Sequence, residues 1–398
     1  MINKNSTPYT PKKTSVNEEN YFSSLSKKYN KASRILYILL ALSFVFTLIF
    51  NSKLLTYTNF NYLFRDINSA AEVAEENYNS ISYVNDELRV VKKYRGGIIT
   101  ASSTDVTVYT ATGRRTLYKN ESFVSPQIST SKKYAIVYEL GGKNYKVYNS
   151  FAQVGGETLK YPISYVSVAD SGWFAIVSRD ANHTSVVYLY DDDMALRSTY
   201  YFAHSTVFLV DINENGNEIA IFKTETAIDK FSTNVTLCRF GKNASEWDVA
   251  VSDGIVCGAG FTKDGSIQLV CTDGYYLIDN SGSIKAENTF ESTVNRVSVT
   301  SEGCAVSLQS NVGEIKNTIF VFDKDGKQLY NAEVKGSIID MEYFDGYVFI
   351  NHGNSISRIY KQNAVTSVKI SDDGADIIVY DSNNILICCA TKAKYIKI

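Results

Sequence analysis

The sequence predicts an all-β protein: a β-propeller of seven or eight blades, preceded by one transmembrane helix and a short helical stalk. Three observations predict it. Turn residues recur about every 40 positions through the last three quarters of the chain. Tyr (29) and Phe (20) are abundant while Pro is only 4 of 398 residues, a balance that favours strands. A single uncharged apolar run, Ile35–Phe50, stands near the start.

The run ILYILLALSFVFTLIF holds only two hydroxyl residues, Ser43 and Thr47. Its sixteen residues span roughly 24 Å as a helix, a little short of a ~30 Å hydrocarbon core. Leu54 and Leu55 extend it if Lys53 snorkels, so the expected signal anchor covers 35–55. No small-x-small cleavage site follows and no Cys is placed for lipidation. Residues 1–34 carry seven Lys or Arg against Glu18 and Glu19, a net of +5, leaving -7 for the rest of a chain of net -2. Positive flanks stay inside, which places this tail in the cytoplasm and the remainder outside it.

Between Tyr57 and Ala74 apolar residues fall at Phe60, Leu63, Phe64, Ile67, Ala70, Ala71 and Ala74, one face of a helix. A juxtamembrane stalk is expected over 56–86. Its apolar face is expected to pack on its own domain.

Beyond residue 87 helical periodicity stops. Polar turns precede short apolar strands in YRGGIITAS, TSKKYAIVY, ADSGWFAIVS, NENGNEIAIF, TKDGSIQLVC, TSEGCAVSLQ, YFDGYVFIN and SDDGADIIVY. The turn marks stand at 97, 133, 172, 216, 265, 303, 346 and 374. A period near 40 with about four strands is that of a propeller blade, and eight marks favour eight blades over 87–398. A twisted four-stranded sheet cannot cover both of its faces alone, and radial stacking in a closed ring does so. The last interval is short. Strand exchange between the termini, by Ile81–Val84 or Leu88–Lys92, is expected to complete the last sheet.

This strand–turn pattern resembles the quinoprotein-like and WD-repeat-like propellers over residues 88–398. With the anchor, the whole chain resembles an uncharacterised family of single-pass, extracytoplasmic propeller proteins of low-GC Gram-positive bacteria. That resemblance implies no activity. The only Trp-Asp pair is Trp247-Asp248 and the only other Trp is Trp173, so a quinone cofactor, which such proteins seat with one Trp per blade, is not expected.

Candidate chemistry is sparse. Asp211, Asn213 and Asn215, followed by Gly216, match the first half of an EF-hand calcium loop, but Phe222 stands where a bidentate Glu is required. The same residues suit a tight turn before a strand. Asp191, Asp192 and Asp193 repel one another and need water, a cation or a basic partner, which makes them ligand-binding candidates. His183, His204 and His352 have no His or Cys at ligand spacing, and no nucleophile-elbow, zinc-protease or P-loop pattern occurs. No C-x-x-C is present. Six strand-borne Cys suggest buried free thiols, with Cys257 and Cys271 the pair that a hairpin symmetric about Asp264 would bring opposite one another as a disulfide.

These features predict a non-enzymatic binding or scaffolding platform on the cell membrane, with a protein or cell-envelope partner, no cofactor and no nucleic acid. A cell-wall glycan hydrolase or lyase with carboxylates at the channel mouth is the first alternative. A transmembrane ligand sensor is the second.

Overall fold

The computed structural model describes residues 15–50, 80–84, 89–226, 230–241, 244–310, 315–361, 364–370 and 374–398. Among them are eight four-stranded antiparallel sheets. Blades 1 to 7 span Val90–Asn120, Pro126–Thr158, Tyr165–Phe202, Ser205–Ser252, Val256–Thr289, Thr293–Lys335 and Asp340–Lys369. Blade 8 takes three strands from Gly374–Lys397 and its fourth, outermost strand from Ser80–Ser82. Ser80, Ile81 and Ser82 pair with Lys394, Ala393 and Lys392. Strand exchange therefore closes the ring through Ile81, while Val90–Tyr94 is the innermost strand of blade 1.

Seven of the eight turn marks lie between the first and second strands of their blades. The eighth does not. Gly374 opens the innermost strand of blade 8, and the equivalent turn there is Asp381–Asn383. The SDDG motif imitates that turn one strand early, which made the last interval look short.

The sheet position of each strand explains its composition. Second strands such as Gly97–Ala101, Phe174–Ser178 and Ile267–Cys271 are buried throughout. Both of their faces pack on neighbouring blades, so they read as continuous apolar runs rather than alternating ones. Outermost strands such as Arg115–Asn120 and Ile284–Thr289 carry charge and are largely exposed, which blunts the free edge.

The core is divided among the seams. Ile99, Val108 and Leu117 of blade 1 pack on Ala135, Val137 and Tyr148 of blade 2. At the seam of blades 5 and 6, Tyr275 stacks on Phe322 with ring centroids 4.1 Å apart. Ile81 and Tyr83 meet Ile378, Leu386, Val91 and Tyr109 where blades 8 and 1 join. No blade owns a core of its own. Stability is a property of adjacent pairs.

The N-terminal helix runs from Ser15 to Phe50 without Gly or Pro. It begins well inside residues 1–34, read from sequence as a basic tail. Among the described residues no helix is long and apolar enough to cross a membrane. The helix up to Arg34 is polar and carries Glu18, Glu19, Lys27, Lys28, Lys31 and Arg34, which leaves an uncharged run of sixteen residues, roughly 24 Å, against a ~30 Å core. Residues 51–55 of the expected span and the expected stalk helix at 57–74 lie outside the described residues.

Candidate functional site: the axial channel

Eight innermost strands, one per blade, contact each other in cyclic order and surround the axis. Each is an inner sheet edge with backbone N–H and C=O groups that its own sheet leaves unpaired. Polar side chains from the neighbouring blade take up several of them. Ser298 Oγ of blade 6 accepts from Tyr343 N of blade 7 at 2.9 Å. Blade 7 in turn serves blade 8, where Asp340 accepts from Ile377 N at 2.8 Å and Glu342 from Val379 N at 2.7 Å. From the other side, Lys93 Nζ of blade 1 donates to Val379 O at 2.8 Å. Asp211 of blade 4 accepts from Phe261 N of blade 5 at 2.9 Å and, over a longer 3.4 Å, from Ser167 Oγ of blade 3.

These groups keep a little surface open to the channel yet are closely surrounded by protein. Desolvation therefore raises the Asp211 carboxyl to about 6. Burial raises Glu342 to about 7; Asp340 on the same strand adds to the rise, against Val379 N–H, Lys93 and Lys92. Burial lowers Lys93.

At one mouth the turns of blades 3 to 6 enclose a cavity of about 330 Å3, lined by Asp211, Asn213, Glu214, Lys263, Thr300 and Ser301 among others. Neighbouring turns hook together there. Ser171 N donates to Glu214 O at 3.2 Å and Lys263 N to Ser301 O at 2.8 Å. Lys263 also pairs with Glu302 at 3.0 Å. The cavity falls within the size range of small-ligand sites, and side chains from four blades converge on it.

The profile of a family of unknown function, DUF5711, matches residues 70–398. The chain belongs to that family. Its match covers the whole DUF5711 propeller, including the exchanged strand. No curated protein matches the sequence. Among solved structures, the DUF5711 chain is similar to BamB from Moraxella catarrhalis, at 11% identity over 80% of this chain and 98% of that one, with a TM-score of 0.55. Sqt1 from Saccharomyces cerevisiae is similar at 10% identity over 81% of this chain and 100% of that one, with a TM-score of 0.59. The dihydro-heme d1 dehydrogenase NirN, solved in complex with DHE, matches at 13% identity over 79% of this chain and 74% of that one, TM-score 0.54. At these identities the likeness is one of fold.

The structure separates the residues that sequence grouped. Of the half-calcium loop, Asp211 lines the channel and Asn215 lies exposed on the turn. Asn213 caps that turn: its Oδ1 accepts from Asn217 N at 3.1 Å and Glu218 N at 3.3 Å, and its Nδ2 donates to Glu218 Oε2 at 3.0 Å. Gly216 has φ 72°, and a Cβ there would lie 2.7 Å from Trp173 of blade 3. Among the described residues no group of three or more His, Cys, Asp or Glu is placed to hold a metal.

The acidic run is likewise divided. Asp191 is buried, accepting from Ala195 N at 2.8 Å and Arg197 Nε at 2.5 Å. Asp192 pairs with Lys133 of blade 2 at 2.9 Å, and Asp193 is exposed. All six Cys are free. A bulge shifts the hairpin register so that Val256 faces Cys271, and Cys257 is extruded and exposed. His183 Nδ1 lies 2.9 Å from the Asp180 carboxylate, and His204 is exposed.

Sequence reasoning missed Lys93, Asp340 and Glu342. The available signal was an Asp and a Glu two apart in the strand DMEYF, hence on one face, inside a run otherwise expected to be apolar.

The raised carboxyl of Glu342 has a consequence for stability. A carboxyl that is harder to ionise folded than unfolded stabilises the fold below its unfolded value of 4.5, and that contribution is lost as pH climbs to about 7. Urea midpoints measured across this window are expected to decline, and Glu342→Gln to flatten the decline. An unchanged slope in the variant would contradict the assignment.

Proposed function

We propose that this protein is a membrane-tethered, extracytoplasmic propeller serving as a non-enzymatic binding or scaffolding platform for a protein or cell-envelope partner. The observation that carries the reading is the cavity of about 330 Å3 to which four blades contribute. Surfaces assembled from many loops on a rigid ring suit recognition. The channel carboxylates point the same way: Asp211, Asp340 and Glu342 each accept a backbone N–H from the next blade. A glycan hydrolase would need a pair of them free to act on substrate.

The tether rests on the helix. Ile35, Tyr37, Leu40 and Phe44 are 50%, 70%, 59% and 65% exposed, so among the described residues this helix carries apolar side chains on every side. A helix that is apolar all round belongs in lipid or in a protein core. Lys27, Lys28, Lys31 and Arg34 precede it and support a cytoplasmic N-terminus.

Photo-crosslinking in the native cell tests the platform. A crosslinker at Asn215 on the cavity rim is expected to capture one partner that a crosslinker at Lys119, on an outermost strand, does not. Capture from both positions or neither would refute the reading. For the tether, the chain is expected to stay with membranes after carbonate washing and to be released when residues 35–50 are deleted. Protease added outside protoplasts should then digest the propeller.

A further inference from the structure

The turn between the second and third strands of blade 7 places a histidine between a serine and a carbonyl of the connection from blade 6. His352 Nδ1 lies 2.9 Å from the backbone oxygen of Ser337, and its Nε2 lies 3.2 Å from Ser357 Oγ. A carbonyl oxygen only accepts, so in the neutral ring Nδ1 carries the hydrogen and Nε2 presents its lone pair. The Ser357 hydroxyl therefore donates to Nε2. Ser367 Oγ, 2.9 Å from Ser357 Oγ on the paired strand, completes the chain by donating to it.

The arrangement is firmly held. His352 N donates to Ser355 O at 2.9 Å, and Asn351 Oδ1 accepts from Gly353 N at 2.8 Å, which fixes the turn. Ser357 sits in the third strand of blade 7, Ser355–Tyr360, paired with Ile350 on one side and Ser367 on the other. His352 and Ser357 both line a cavity of about 480 Å3, together with Glu333, Lys335, Ser355 and Val365. Val365 is half-exposed there and offers an apolar wall.

A serine within 2.6–3.2 Å of a base that a third group orients is the arrangement of an activated nucleophile. We propose that Ser357 and His352 form a nucleophile–base pair that hydrolyses short-chain carboxylic esters in this groove. The inference stands independently of the channel-mouth reading: the mouth serves binding without chemistry, and this separate groove on blade 7 adds an activity that the sequence does not suggest. In the first step Ser357 Oγ bonds to the ester carbonyl carbon while its proton passes to His352 Nε2. The C–O bond to the leaving alcohol then breaks, and the departing oxygen takes that proton. Water next attacks the acyl-serine, giving a proton to Nε2. Cleavage of the acyl bond returns the proton to Ser357 Oγ and releases the carboxylic acid. Ester and water yield acid and alcohol, and the pair is restored.

The test uses the full-length protein with a fluorophosphonate probe and p-nitrophenyl acetate. One phosphonyl adduct is expected on the peptide containing Ser357, located by mass spectrometry on the unaltered protein, where no variant has to fold. Ser357→Ala should abolish it. His352→Gln should slow both labelling and ester hydrolysis by about 100-fold or more, the usual contribution of a general base, with its thermal midpoint measured alongside. Absence of adduct at Ser357 under conditions that saturate a reference serine esterase would overturn the proposal. So would equal labelling rates with and without His352.

Discussion

Replacing Asp105 by alanine is expected to cost about 3–5 kcal/mol of folding free energy, the usual penalty for stranding one member of a buried ion pair. Arg89 Nη1 lies 2.7 Å from Asp105 Oδ1, and the two side chains are 1% and 0% exposed. A second bond joins Arg89 Nη2 to Asp105 Oδ2 at 3.1 Å, so the guanidinium and carboxylate meet in fork geometry. The guanidinium also lies 5.6 Å from the ring centre of Tyr83, which packs at the seam of blades 8 and 1. Removing the carboxylate leaves the cation in a site that water does not reach. Domains are commonly stable by only about 5–15 kcal/mol, so such a loss is a large part of the whole. Urea denaturation of Asp105→Ala measures it. The double variant Arg89→Met, Asp105→Leu should recover much of the loss, because an apolar pair of similar volume carries no stranded charge. A single variant as stable as the parent would show that the pair holds nothing together.

The second large effect concerns ring closure. Ile81 is 1% exposed and Tyr83 is 8% exposed, and they reach blade 8 from the opposite end of the chain. Ile81→Ala in the full-length chain is expected to lose about 2–5 kcal/mol through the cavity it leaves. Removing residues 1–84 strips blade 8 of its fourth strand and uncovers the edge of Lys392–Lys397. A bare edge pairs with other chains. The truncated protein is therefore expected to unfold at lower denaturant and to form oligomers on size-exclusion chromatography. A truncated monomer with the parental midpoint would show that closure does not depend on this strand.

Much of the architecture was legible because the repeat is physical. Every blade needs a tight turn leading into a strand buried on both faces, and those two demands mark the sequence at 97, 133, 172, 216, 265, 303 and 346. The exchange of termini could be foreseen from a shortage of strands at the end, and Ile81 fulfilled it. The imitation turn at Gly374 misled because a bulge between Gly374 and Asp376 starts the inner strand there with the residues of a hairpin. The channel was not legible. Lys93, Asp211, Ser298 and Glu342 are far apart in sequence, and only the stacking of blades, with ring closure for Lys93, brings each to a neighbour's amide or carbonyl. Isolated polar residues in strands look alike whether they face an axis or solvent. The Cys257–Cys271 register failed by one residue for a similar reason, since a bulge carries no reliable mark in sequence. His352 and Ser357 were hidden by the turn between them, because the tautomer that relates them is set by the carbonyl of Ser337.

The clasp at Ser80–Ser82 also gives the ring a mechanical character. The strand that locks blade 8 is the one through which the N-terminal segment joins the propeller, and among the described residues Ser80, Ile81 and Ser82 carry its ladder, with Tyr83 N adding one bond to Thr391 O at 3.0 Å. Any pull transmitted along that segment arrives first at this short seam, before it can load blade 1. Tension would peel the lock before straining the rest of the circle, so the protein carries its own release point under load.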